Sequence, residues 1–276
     1  MNRMRRIDDP HYIEKCLAGE LLYGDDLSVE ELEIWFRGEE EGYFTIEQQS
    51  GKHYEYPFHA LDWEHGFRFL AGRTFNSVLG VGSAFGDEFR PIIRQCRQIT
   101  VLEPAKGFAR EEIDGVPVRY VPPDPTGRMP FADASFDLIT CFSVLHHVAN
   151  VSFVLKELHR CLRPDGVLLV REPAVSMGDW RRPRTGLTRR ERGIPPHLFR
   201  RMIIDTGFEI VREKRCAFSL MSRFKYLLGQ PAYNSRFVMK LDNLVCRLPI
   251  WSRRYHPRVF LHKLCPTMMV FVLRRG

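Results

Sequence analysis

Ser77-Val78-Leu79-Gly80-Val81-Gly82-Ser83-Ala84-Phe85-Gly86 is the stretch that decides the fold. Its apolar start, Ser77 to Val81, reads as a buried strand, and the glycines that follow mark a loop feeding a helix over Gly86 to Cys96. Twenty-one residues after Gly82, Glu103 closes a second apolar run, Ile99 to Glu103. Glycine in such a loop lets backbone N–H groups approach a ligand at a helix N-terminus, and a carboxylate at a strand end accepts hydrogen bonds from both hydroxyls of a ribose. The loop by itself is also what a tight turn without a ligand looks like. Loop and carboxylate together point to an adenosine-type cofactor, a feature that nicotinamide enzymes share.

Outward from this stretch the chain keeps the strand, loop, helix rhythm of a parallel α/β sheet. Further strands are predicted over Val116 to Val121, Phe136 to Phe142 and, after a turn at Arg163-Pro164-Asp165-Gly166, Val167 to Arg171. A helix is predicted from Val148 to Leu162. Pro195-Pro196 opens another that runs to Thr206 and stops at Gly207, before a strand over Phe208 to Glu213. Thr267 to Leu273 is the last β-prone run.

Three strings then narrow the choice: Met129-Pro130-Phe131-Ala132-Asp133-Ala134-Ser135-Phe136-Asp137-Leu138-Ile139, Ser143-Val144-Leu145-His146-His147-Val148, and Leu162-Arg163-Pro164-Asp165-Gly166-Val167-Leu168. From about Val78 to Pro173, with a weaker echo at His197 to Glu213, the chain resembles the class I S-adenosylmethionine-dependent methyltransferases of the small-molecule, ubiquinone/menaquinone type. The resemblance implies a Rossmann-like α/β fold: a seven-stranded, mostly parallel sheet with helices on both faces, its last strand antiparallel. It also implies S-adenosylmethionine as cofactor. Gly80, Gly82 and Gly86 fall on the family's cofactor loop, Glu103 on its ribose carboxylate and Asp124 on its adenine-side acid. Phe142 and Ser143 fall on the wall beside the methionine half. This chain has Gly80 and Ala84 where the family usually carries an acid and a glycine, so another side chain or water must meet the methionine amino group.

Methyl transfer from a sulfonium is an in-line displacement, so the protein mainly aligns the acceptor and excludes water. A base is needed when the acceptor is a hydroxyl or a protonated amine. His146 and His147 follow the fourth strand and are the candidate bases; histidines there also serve simply to pack or hydrogen-bond the loop. Arg171 and Glu172, at the end of the fifth strand, are substrate-side candidates that can equally be structural.

Residues 1–72 are expected to form an N-terminal helical cap ahead of the methyltransferase domain, 73–276. Within the cap, residues 11–40 carry apolar positions at helical spacing around a turn at Tyr23-Gly24-Asp25-Asp26, and Ser28 with Glu31 gives a capping-box signature. Gly42 to Phe58 suits a small hairpin or flap, and Leu61 to Leu70 a helix. Between the last two strands, residues 217–266 read as an inserted basic cap of two amphipathic helices, built on Leu220, Phe224, Leu227 and Leu228, then Val238, Leu241, Leu244, Val245 and Leu248.

Charge is strongly segregated. From Asp8 to Glu64 there are sixteen acidic and three basic residues, and from Cys216 to Lys263 nine basic residues against Asp242 alone, in a chain of net charge +7. Another arginine group, Arg181, Arg182, Arg184, Arg189, Arg190 and Arg192, precedes the insert. Arg253, Arg254 and Arg258 are candidates for selecting an anionic acceptor, and opposite charge could instead hold the two caps together. The basic segment also suits anionic lipid headgroups. Nucleic acid is disfavoured as acceptor, because no Asn/Asp-Pro-Pro-Tyr motif ends the fourth strand. The sequence therefore reads as a methyltransferase for a hydroxyl of a sugar, glycan or other small polar metabolite. A nucleic-acid or protein methyltransferase, and a cofactor-binding relative without activity, remain the alternatives.

With 276 residues, 44% hydrophobic and 27% charged, the chain can bury a full core. No apolar run approaches the roughly 18 residues of a membrane span and no signal-peptide core follows Met1, so a cytoplasmic location is expected. Seven cysteines stand singly (Cys16, Cys96, Cys141, Cys161, Cys216, Cys246 and Cys265). Without a Cys-x-x-Cys pair or tight Cys/His group they read as buried thiols, and no metal is expected.

Overall fold

The computed structural model describes residues 6, 8–50, 55–180, 182–248, 251 and 254–276, with backbone only over 41–50. Its strands are β1 (Val78–Val81), β2 (Ile99–Leu102), β3 (Glu112–Ile113), β4 (Val116–Val121), β5 (Phe136–Phe142), β6 (Leu162–Pro173), β7 (Phe208–Phe218) and β8 (Pro266–Arg275). They form one sheet in the order β3-β4-β2-β1-β5-β6-β8-β7. From β4 through β6 the neighbours run parallel, and β8 lies antiparallel to both β6 and β7. The sheet is thus the expected seven-stranded one plus β3. That eighth strand exists because Asp114 and Gly115 both take left-handed backbone, at φ 48° and 83°, and close a two-residue hairpin onto β4.

Alternation along β1 sends its side chains to opposite faces. Leu79 pack with Val81 against α4 (Val151–Cys161) and α5 (Pro196–Asp205), through Val154, Leu155, Phe199 and Ile203. Val78 faces the other way, toward Phe67, Phe89 and Ile92. All four β1 residues are buried, which is why the run is continuously apolar instead of alternating.

Several boundaries differ from the sequence reading. The helix after the cofactor loop is a 3-10 helix, Asp87–Gln95, with Pro91 inside it; proline lacks the N–H an α-helix needs there. The helix expected from Val148 begins at Val151, and the expected turn at residues 163–166 is extended and continuous with β6. Instead of one helix over Leu61 to Leu70, α3 (His59–His65) ends at Gly66 and a 3-10 turn, Phe67–Leu70, follows.

In the N-terminal region α1 (Pro10–Ala18) and α2 (Val29–Ser50) take the places of the two predicted helices. The capping box forms: the Ser28 N–H donates to Glu31 Oε2 at 3.0 Å and the Glu31 N–H to Ser28 Oγ at 3.4 Å. The hairpin or flap expected at Gly42 to Phe58 is not there, because α2 continues to Ser50; residues 51–54 of that expectation lie outside the described residues. Leu32 and Trp35 from α2 share a small core with Ile13, Cys16, Ala149, Trp180 and Tyr255.

The insert also departs from expectation. Its first half is a 3-10 turn, Met221–Phe224, and the short α6 (Lys225–Leu228), with Leu227 82% exposed instead of buried. The second half does form an amphipathic helix, α7 (Arg236–Val245), and a further short helix, α8 (Phe260–Lys263), precedes β8. This region packs with Leu61 and Phe218 in a core of its own, centred on Tyr233, Val238 and Met239. All seven cysteines are free thiols. No helix among the described residues is long and apolar enough to cross a membrane.

Candidate cofactor and active site

A cavity of about 210 Å³ opens at the carboxyl ends of the parallel strands. Val81 and Gly82 line it after β1, Leu102 and Glu103 after β2, Asp124 after β4, and Ser143, Val144 and His147 after β5. Met129, Val148, Asn150 and Val154 also line it, as do Leu32, Trp35, Phe36, Glu39 and Glu40 of α2. Ligands in open α/β sheets bind at such a place, beyond the strand ends.

The loop after β1 is tightly organised. Gly82 has φ 60°, and a Cβ there would lie 2.6 Å from Val144 Cγ2, so a side chain would be both strained and obstructed. Ala84 holds a left-handed φ of 46°, and its N–H donates to Glu103 Oε2 at 3.0 Å, while the Ala105 N–H donates to Glu103 Oε1 at 3.1 Å. These bonds fix the Glu103 carboxylate at the cavity wall.

Gly80 explains its own departure from the family pattern. A Cβ there would sit 2.3 Å from Ser83 Oγ and 2.9 Å from the Phe89 ring, so no acid fits. Ser83 Oγ instead donates to Glu88 Oε1 at 3.0 Å, and Thr140 Oγ1 donates to the same oxygen at 2.5 Å. Burial pushes the Glu88 carboxyl up to about 7, against the opposing effect of those hydroxyls. Gly80, Gly86 and Phe142 do not line the cavity. Gly86 shapes the loop at φ 73° beside Ile113, and Phe142 points to the opposite face of the sheet, packed edge-on to Phe67. Asp124 is exposed at the rim, where its Oδ1 accepts from the Thr126 N–H at 2.8 Å.

The two histidines part company. His146 is buried, with Nδ1 2.8 Å from Glu172 Oε2 and Nε2 3.4 Å from Glu191 Oε1. Burial lowers its proton affinity, but the hydrogen bonds and charges of Glu172 and Glu191 outweigh that and raise it to about 9. An imidazolium held between two carboxylates and absent from the cavity wall has no free nitrogen for a base. His147 does line the cavity, and its Nδ1 lies 3.0 Å from Glu39 Oε2 of α2. The same helix holds the His147 backbone, because Trp35 Nε1–H donates to the His147 carbonyl at 2.7 Å. His146, His147 and Glu191 bring possible metal-ligand atoms within 4.8 Å of one another. A metal at this trio would have to displace the proton that His146 Nε2 shares with Glu191, so we read the group as a hydrogen-bonded ion-pair network.

The expected substrate-side residues lie elsewhere. Arg171 is buried: Nε–H donates to Asp62 at 2.8 Å, Nη1–H to Ser143 Oγ at 2.7 Å and Nη2–H to the Tyr56 hydroxyl at 3.1 Å. Its guanidinium also stacks 3.9 Å from the Phe58 ring centroid, so it ties residues 56–62 to the sheet. Glu172 accepts the N–H groups of Val144 and Leu145 at 2.9 and 2.8 Å and thereby holds the turn after β5. Neither residue lines the cavity, and neither do Arg254 and Arg258; Arg253 lies outside the described residues. Arg181, from the arginine group, is likewise outside them. In that group, Arg192 is wholly buried and donates to the carbonyls of Tyr23, His146 and Ala149, and the half-buried Arg184 donates to those of Met177, Thr188, Arg189 and Glu191.

Glu39 and Trp35 are the site residues that the sequence reading missed. Leu32, Trp35, Phe36 and Glu39 fall on one helical face at i, i+3, i+4 and i+7. An acid on the apolar face of α2 was the available signal.

The fold is similar to that of class I S-adenosylmethionine-dependent methyltransferases, and the cavity lies at the strand ends where such sheets bind ligands. Residues 79–170 match the family model described as a methyltransferase domain. An uncharacterized methyltransferase of Bacillus subtilis, YcgJ, is 31% identical over 105 residues, a match covering 36% of this chain and 41% of that protein. Among solved structures, a SAM-dependent methyltransferase of Leishmania major aligns with TM-score 0.54 at 16% identity, over 87% of this chain and 83% of its own. A putative methyltransferase of Haloferax volcanii, solved in complex with the Trm112 methyltransferase activator, aligns with TM-score 0.52 at 15% identity, over 89% and 98%. At these identities the structures speak for the fold alone.

Proposed function

We propose that this chain transfers the methyl group of S-adenosylmethionine to a hydroxyl of a sugar, glycan or other small polar metabolite. The bound cofactor supplies an electrophilic methyl group on a sulfonium, and the chain has to hold it, present the acceptor and keep water out. Glu103 would accept from the ribose hydroxyls, Asp124 would face the adenine edge, and Val81, Leu102, Met129 and Val148 would cover the base. Gly82 would leave room for the methionine half beside Ser143, with Gly80 and Gly86 shaping the loop and Phe142 supporting it from behind.

The observation that carries the acceptor reading is the Glu39–His147 pair on the cavity wall. With Nδ1–H donating to Glu39, Nε2 is the basic nitrogen, ready for the proton of an alcohol as its oxygen becomes the nucleophile. Glu39, Glu40, Glu103 and Asp124 face Arg128 as the one cationic side chain of the described wall. That balance favours a neutral acceptor over the anionic one suggested by the charge of the insert.

The test has two parts. By titration calorimetry, Glu103→Ala should weaken S-adenosylhomocysteine binding by about 1.5–3 kcal/mol, the range for hydrogen bonds to a charged group. Tight NAD binding with no response to the sulfur nucleoside would end the cofactor assignment. His147→Asn should then leave that binding intact and lower kcat by about 100-fold or more toward a hydroxyl acceptor, the scale of general-base catalysis. Unchanged turnover in His147→Asn, or methyl transfer only to RNA or protein, would overturn the acceptor reading. Cofactor binding with no turnover on any acceptor class would identify a binding protein without activity.

A further inference from the structure

Large apolar side chains that are more than half out of the fold are concentrated in the insert. Tyr226 is 79% exposed, Leu227 82%, Phe237 65%, Leu244 62%, Phe260 65% and Leu261 72%, and no other described large apolar side chain exceeds 55%. They are not frayed ends of an unpacked segment. Trp251 Nε1–H donates to the Val245 carbonyl at 2.7 Å, and Asn234 bonds both the His59 N–H and the Tyr56 carbonyl, so the insert is pinned to the body.

Helix α7 shows the design most clearly. Its inner face buries Val238, Met239 and Asp242. Its outer face presents Phe237, Lys240, Leu244 and, just beyond, Arg247 and Leu248, all exposed at helical spacing. A helix that rests on a globular body normally turns polar residues to water. This one carries Phe237 and Leu244 among the cations of its outer face.

The charge around that face has one sign. Arg223, Lys225, Arg236, Lys240, Arg247, Arg258 and Lys263 are exposed. The sole acid from Cys216 to Lys263 is Asp242, which is buried and accepts the N–H groups of Ala217 and Phe218 at 3.0 and 2.7 Å. The insert thus offers no exposed carboxylate among the described residues.

We propose that the outer face of the insert docks on the surface of an anionic phospholipid bilayer, with Leu227, Phe237, Leu244, Phe260 and Leu261 entering the headgroup–acyl boundary and the lysines and arginines pairing with headgroups. Interfacial binding of this kind scales with buried apolar area plus attraction to anionic lipid, and the insert exposes both apolar side chains and cations. A second copy of the chain is a poorer occupant, because a two-fold contact would set this cationic face against itself. Single-stranded nucleic acid is poorer too, since Leu227, Leu244 and Leu261 give bases nothing to stack on. The inference does not rest on the acceptor reading.

Flotation of the full-length protein with vesicles tests it. Binding is expected to vesicles of phosphatidylcholine with about 30% phosphatidylglycerol, to fall sharply when salt is raised, and to be at least about tenfold weaker on phosphatidylcholine alone. The surface variant Leu227→Ser/Phe237→Ser/Leu261→Ser should keep its circular dichroism and its S-adenosylhomocysteine affinity and lose most vesicle binding. Lys240→Glu/Arg247→Glu should do the same. Absence of binding to anionic vesicles, equal binding by the triple variant, or displacement from vesicles by single-stranded RNA would overturn the proposal. So would a self-association that the triple variant abolishes in a protein that ignores vesicles.

Discussion

Restoring the family's acid at position 80 should harm this protein. Gly80→Asp forces a carboxylate into the space shared by Ser83 and Phe89 and breaks the Ser83–Glu88–Thr140 chain behind it. Overpacking of that kind costs about 1–3 kcal/mol, read as a drop in Tm of about 2–4 °C per kcal/mol in a chain of this size. A variant as stable as the parent, with tighter cofactor binding, would show that the loop has room that the packing denies. His146 makes a second residue-scale prediction. Its folded-state proton affinity, raised to about 9, exceeds the unfolded value near 6.5, so its contribution is complete below about pH 6.5 and is lost as pH rises through 9. For Glu191, burial works against ionisation, but His146 and His147 prevail and lower it to about 2, so its contribution is lost only as pH falls through that value. Thermal melts should therefore show the parent losing on the order of 1–3 kcal/mol between pH 6.5 and 9.5 and His146→Gln losing clearly less. Parallel melting curves would refute the Glu172–His146–Glu191 network.

At the scale of elements, α2 is both a wall and a brace. Trp35 is the one tryptophan on the described cavity wall, so cofactor binding should change the intrinsic fluorescence, and Trp35→Phe should remove most of that change. The same substitution deletes the bond to the His147 carbonyl at a cost of about 1 kcal/mol. A full fluorescence response in Trp35→Phe would mean that α2 stands away from the ligand. This helix also marks where the sequence was readable. Its start was legible because a capping box is a local signal, and β5 was legible to the residue because a buried strand is a short apolar run. Glu103 was findable because the chain puts it at a strand end. What α2 rests on was not legible, since no local pattern says that Glu39 meets His147 across 108 residues of chain. Arg171 and Glu172 misled for the same reason: a strand-end charge looks alike whether it faces a cavity or, as here, an internal partner such as Asp62.

At the scale of the whole molecule, segregated charge forms no clamp among the described residues. No ion pair among the described residues joins the acidic stretch Asp8 to Glu64 to the basic stretch Cys216 to Lys263. The contact between them is apolar and neutral, through Leu61 and the core around Tyr233, with Asn234 bonded to His59 and Tyr56 and Asn243 donating to Glu64. Raising salt from about 0.1 to 1 M should therefore alter stability by no more than about 1 kcal/mol, the worth of exposed pairs. A large loss of Tm in high salt would restore the clamp. The division of labour around the cavity has an evolutionary corollary. The side that would hold the cofactor is built from strand ends, whose geometry the sheet fixes, whereas the α2 wall is little more than two turns, from Leu32 to Glu40. Under the proposed activity, drift in those few positions would recruit new acceptors without disturbing the strand ends, so relatives that diverge in acceptor should differ first there.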